Sequence, residues 1–129
     1  MLRLASTAER CVKGKREQLS TPYDVATFIR KAFPCAAQEH FAVLYLDPRN
    51  TVLGASEVSR GGLATAMVDP KVLFAGALLV GAQGIIVSHN HPSGSSEPSR
   101  QDDQLTQEIL RGCKLLAIGL LDHIIVSPT

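Results

Sequence analysis

Tryptophan is absent from this 129-residue chain, and aromatic residues make up only 5% of it. A platform of stacked rings for single-stranded nucleic acid is hard to build from so few. An excess of one charge is missing too: 13 Lys and Arg face 12 Asp and Glu, for a formal charge of +1. That balance creates no global basic field to draw the chain onto DNA or an acidic membrane. No apolar run approaches the length that spans a bilayer; Phe41 to Leu46, and Val72 to Val80 with its Gly, are among the longest. Cys11, Cys35 and Cys113 are far apart, odd in number and without a CxxC pair. This excludes a disulfide framework and a cysteine-rich zinc site, and it fits a reducing compartment. Met1 to Leu19 carries Arg3, Glu9, Arg10, Lys13, Lys15, Arg16 and Glu17, which leaves no signal-peptide core. A cytoplasmic protein with no membrane partner is expected.

What is present is an ordinary globular composition, 45% apolar and 19% charged, in a chain long enough for one core. Residues 1–19 are read as a leading helical segment, and 20–129 as the domain. Thr21-Pro22-Tyr23-Asp24 has the form of a helix start, with Thr21 as N-cap and Pro22 at the first helical position. Val25, Phe28, Ile29, Ala32 and Phe33 give that helix one apolar face, and Pro34 stops it. His40 to Asp47 is a strand closed by the turn residues Asp47-Pro48-Arg49-Asn50, with Thr51 to Val58 as its antiparallel partner. A weaker strand is expected over 63–68. Asp69-Pro70 repeats the cap-plus-proline signature before a helix over 71–80. Gly84 to Ser88 reads as a buried central strand, 90–98 as a loop, 99–116 as a long helix and 120–126 as the last strand. The order predicts an α/β domain with a mixed sheet flanked by helices.

Only one stretch is dense in reactive groups. His89 and His91 are two apart, so an extended backbone sends both imidazoles to the same side. Asp102 follows in the first turn of the next helix. Two imidazoles and a carboxylate form a set that suits Zn²⁺ and leaves a fourth position for water. Strand end, loop and helix start can bring all three within roughly 2 Å of one ion, and zinc would lower the pKa of its water to roughly 7. Glu39, just before the first strand, can take the proton from that water and pass it to a leaving amine. Ser99, three residues before Asp102, can donate to the oxyanion of a tetrahedral intermediate. Ser99 and Asp102 also have the form of a helix-capping pair, a role compatible with both. Glu57 in GASEV competes with Glu39 for the part of base, being nearer the histidines in sequence. His123 in its apolar strand reads as a half-buried, satisfied histidine rather than a fourth ligand, and His40 as a packing or solvent residue. Cys113 is core filler.

His89-Asn90-His91-Pro92, six residues, Ser99, two residues, Asp102 resembles the JAMM signature of the JAB/MPN metalloproteases, with every fixed position filled. SHNHPSG, PSRQD and LLDHIIV look like the RadC-like branch of that family, over roughly residues 20–126. The resemblance implies a JAB/MPN-type (cytidine-deaminase-like) α/β domain with a mixed, curved sheet. It implies zinc on His89, His91 and Asp102, the family glutamate at Glu39 and the oxyanion-side donor at Ser99. The implied activity is zinc-dependent hydrolysis of amide or isopeptide bonds in a peptide or protein substrate with an extended segment. RadC-like proteins usually carry a helical segment ahead of the domain, for which this chain has little room, so it is read as an excised domain or a short homologue. The DNA-repair label attached to such proteins implies a metal-dependent nuclease instead, a nucleic-acid partnership that the charge balance disfavours. A non-catalytic interaction module is the other alternative.

Overall fold

The computed structural model describes residues 17–33, 40–60, 68–90 and 100–126, the side chains at 59, 60, 101 and 102 excepted. Along the chain these form α1 (Pro22–Ala32), β1 (His40–Leu46), β2 (Val52–Arg60), α2 (Pro70–Val80), β3 (Gly84–Asn90), α3 (Arg100–Leu116) and β4 (Gly119–Val126). The strands lie side by side in the order β2-β1-β3-β4. β1 runs antiparallel to β2 and β3, whereas β3 and β4 are parallel. The chain is thus an α/β domain around a mixed sheet, and α3 lies on the crossover that makes the last pair parallel.

Local chemistry explains the helix boundaries. Thr21 Oγ1 accepts from the Asp24 backbone N–H at 3.1 Å, and the Asp24 carboxylate accepts from the Thr21 N–H at 3.1 Å. This reciprocal pair satisfies two donors that the first turn of α1 leaves over. At the start of α2 the Asp69 side chain caps one donor, accepting from the Lys71 N–H at 2.9 Å. α2 ends where Gly81 turns left-handed, at φ 70°, a conformation that costs glycine little.

β1 and β3 are buried along their whole length, because helices cover both faces of the sheet. On one face Phe41, Val43, Tyr45, Ile85 and Val87 meet Leu73, Phe74 and Ala77 of α2 and Leu105, Ile109 and Cys113 of α3. On the other, Ala42, Leu44, Leu46 and Ile86 meet Val25 and Ile29 of α1, with Phe33 and Leu19. Alternation along the strand sorts these two sets.

The Tyr45 phenol lies in the first core. Its hydroxyl donates to the Leu73 carbonyl at 3.1 Å, and burial pushes its pKa up to about 12. Gly76, one turn along α2, makes room for it: a methyl there would overlap the Tyr45 hydroxyl and ring. Gly76→Ala is therefore expected to cost about 1–3 kcal/mol, the range for overpacking a filled core. Chemical denaturation measures this directly, and a variant as stable as wild type would mean that the ring steps aside freely.

Several boundaries differ from those expected. β3 does not end at Ser88 but continues through His89 and Asn90, because Phe41 pairs with His89 and Asn90 pairs with Val126. The Asn90 side chain secures that end by accepting from the His40 N–H at 2.7 Å. Residues 17–20 are not helical. Gln18 bridges Thr51, and Leu19 donates to the Asn50 carbonyl at 2.9 Å, so this stretch is held against the start of β2. The rest of the expected leading helix lies outside the described residues. So does the strand expected over 63–68, except for Val68, which is not in a strand. The turn between β1 and β2 is built on Asp47, whose carboxylate accepts from the N–H groups of Thr51 and Arg49. The Thr51 bond above all holds that carboxyl below its ordinary pKa. Among the described residues no helix is long and apolar enough to cross a membrane.

Candidate functional site

Near the C-terminal end of β3, side chains of β3, β4 and α3 meet: His89, His123 and Thr106. His89 sits there, 1% exposed, on the sheet face that α2 and α3 cover. Its ring stacks on that of Phe41, its cross-strand partner, with centroids 5.9 Å apart and planes within 10°. A buried imidazole requires partners for its nitrogens. His89 Nδ1 lies 2.9 Å from Nε2 of His123 on β4. His123 Nδ1 in turn meets the Thr106 hydroxyl on α3. The contact follows from the register: His123 pairs with Val87, so it projects from β4 on the same face as His89 and one step below it. His123 also packs edge-on against Phe41 at 5.7 Å. One imidazole is thereby fixed in plane and position by three secondary-structure elements.

Asp102 belongs to the first turn of α3. Four residues separate it from Thr106, which places both positions on one face of the helix, the face from which Thr106 reaches His123. Glu39, His91 and Ser99 lie outside the described residues, as does the side chain of Asp102. Glu39 is joined to His40 and His91 to Asn90, two residues that the 2.7 Å bond holds together at this same end of the sheet.

The competing residues fall elsewhere. Glu57 pairs with Ala42 and so lies on the α1 face, opposite to His89. His40 is 4% exposed and packs on the same α1 face, its ring 6.1 Å from that of Phe33. Cys113 is 1% exposed in the α3 core. Burial pushes its thiol up, which suits a packing role and not a nucleophile. Cys11 and Cys35 lie outside the described residues.

Among the described residues no three His, Cys, Asp or Glu side chains converge as a metal-binding group. The donor chemistry at the end of β3 nevertheless fits an ion of zinc's kind. A ligating histidine characteristically holds its second nitrogen in a hydrogen bond that fixes the ring, and His89 Nδ1 is held in this way, so Nε2 is the nitrogen a metal would use. Sequence reading gave His123 its half-buried, bonded state but missed its partner. The available signal was the position of Thr106 one helical turn after Asp102.

Comparison with known proteins agrees with this architecture. The model of the RadC-like JAB domain matches residues 19–129. A UPF0758 protein of Methanosarcina mazei is 39% identical over 124 residues, covering 96% of this chain and 54% of the relative. Another, from Halalkalibacterium halodurans, is 40% identical over 112 residues, 87% of this chain and 48% of that protein. A third, from Streptococcus thermophilus, is 36% identical over the whole chain and 57% of its own length. The chain thus spans about half the length of these relatives. Since the match runs from Leu19 to the last residue, the chain belongs to the RadC-like JAB domain family.

Proposed function

We propose that this chain is a zinc-dependent hydrolase of amide or isopeptide bonds, with His89, His91 and Asp102 as the residues that hold the ion. The observation that carries this reading is the anchored His89 imidazole at the C-terminal end of β3, with position 102 on the facing side of α3. The zinc, when bound, would supply a Lewis acid that activates water and polarises the scissile carbonyl. Glu39 takes one proton from the attacking water as its oxygen bonds to the carbonyl carbon. It then delivers that proton to the nitrogen as the C–N bond breaks, so that an amine leaves together with a carboxylic acid, which gives up its remaining proton to solvent. The Ser99 hydroxyl donates to the carbonyl oxygen while that oxygen carries negative charge. Phe41 and the residues around it keep bulk water from the His89 ring, which strengthens charge interactions at its outer nitrogen. The substrate is a peptide or protein with an extended segment, added as a strand at a sheet edge; among the described strands β4 is the edge strand beside β3.

The test is digestion of a mixed library of linear peptides and lysine-linked isopeptides by the zinc-loaded protein, read by mass spectrometry. New amine and carboxylate termini are expected, lost with a zinc chelator and restored by zinc. Cleavage that continues unchanged after the metal is stripped would overturn the mechanism. Cleavage of no peptide or isopeptide would favour an interaction module.

A further inference from the structure

His123 and Thr106 have no part in that reaction, yet they are the groups that hold the one fully described site residue. We propose that they are positioning residues which set the tautomer of His89, so that its Nε2 presents a lone pair. The inference rests on the reading of His89 as a zinc ligand.

The argument is a count of hydrogens. In neutral rings, the contact between His89 Nδ1 and His123 Nε2 carries one hydrogen, and so does the contact between His123 Nδ1 and Thr106 Oγ1. Each neutral imidazole also carries only one N–H. The chain can therefore run in just two directions. If the Thr106 hydroxyl donates to His123 Nδ1, His123 donates from Nε2 to His89 Nδ1. The His89 proton then sits on Nε2 and blocks that nitrogen as a ligand. If His89 Nδ1–H donates to His123 Nε2, then His123 Nδ1–H donates to Thr106 Oγ1, and His89 Nε2 keeps its lone pair.

Thr106 decides between the two. A threonine inside a helix has a place for its own hydrogen, the carbonyl three or four residues back. Sending it there leaves the oxygen lone pairs for His123 Nδ1–H. The helix thereby imposes the second direction, and β4 passes it to β3. Of the polar partners such a chain could end on, a carboxylate would impose the same direction, whereas a lysine or arginine would reverse it.

The experiment compares Thr106→Val, which keeps the shape and loses the hydroxyl, with Thr106→Ser, which keeps the hydroxyl. Two quantities are measured: the His89 tautomer in zinc-free protein, from long-range ¹H–¹⁵N correlation spectra, and zinc affinity by chelator competition. Wild type and Thr106→Ser are expected to show His89 protonated on Nδ1. Thr106→Val should lose that preference and bind zinc about 10–100-fold more weakly, the usual effect of removing an outer-shell partner. His123→Leu should match Thr106→Val, with thermal melting to check that each variant is folded. An unchanged tautomer in Thr106→Val would overturn the inference, as would equal losses in the Val and Ser variants. Failure of wild type to take up zinc would overturn the metal reading alone, since the tautomer pattern is read without metal.

Discussion

Glu39→Gln is expected to lower amide-bond hydrolysis by about 10²–10⁴-fold, the range for losing a positioned general base, while zinc content stays at the wild-type level. Gln has nearly the size of Glu and can still hydrogen-bond water, but it cannot accept and return a proton. The loss should therefore fall on kcat and leave KM close to wild type. The companion variant Glu57→Gln is expected to keep full activity. Its position pairs with Ala42 on the α1 face, across the sheet from His89. Steady-state kinetics on the two variants gives the assignment a clear reading. Loss in Glu57→Gln with activity retained in Glu39→Gln would reverse the roles.

His89→Ala is expected to abolish zinc binding and hydrolysis together, and to weaken the fold as well. The ring is 1% exposed and stacked on Phe41, so its removal leaves a gap beneath the sheet end. It also takes away the partner of the half-buried His123 Nε2, at a cost up to about 1–3 kcal/mol, the range for a polar atom left buried without its bond. Denaturant titration separates this loss from the loss of metal. His40→Gln supplies the contrast: His40 is comparably buried but packs on the α1 side with Phe33. That variant is expected to keep zinc. Zinc loss in His40→Gln, with His89→Ala still loaded, would place the ion on the wrong face for this mechanism.

Which parts of the molecule were legible in sequence follows from the range of the forces involved. The starts of α1 and α2 could be read because a cap and its donors lie within three residues, as in Thr21 with Asp24 and Asp69 with Lys71. β1 was legible because both its faces are covered, so the run HFAVLYL is apolar almost throughout. The end of β3 was not, since Asn90 is in the strand through its pairing with Val126 and is secured by its side-chain bond to His40, fifty positions away. Residues 17–19 read as helix from their composition, yet the pairing of Gln18 with Thr51 outweighs that weak propensity.

The site divides in the same way. The proposed ligand set of His89, His91 and Asp102 rests on residue type and separation alone, and both are properties of the sequence. The link between His89 and His123 is not of that kind. It depends on β3 and β4 being parallel, and on a register that shifts between Ile85 and Ile86. Neither is encoded within one segment. The choice between Glu39 and Glu57 likewise turns on a sheet face, which emerges only when β2 is paired with β1.

Zinc stoichiometry of the wild-type protein, purified without a tag and measured by elemental mass spectrometry beside His89→Ala, is the most direct test of a metal centre at the end of β3. About one zinc per wild-type chain, absent from the variant, is the predicted result. A wild-type chain that holds no zinc, even after incubation with the ion, would contradict it and make the domain a binding module.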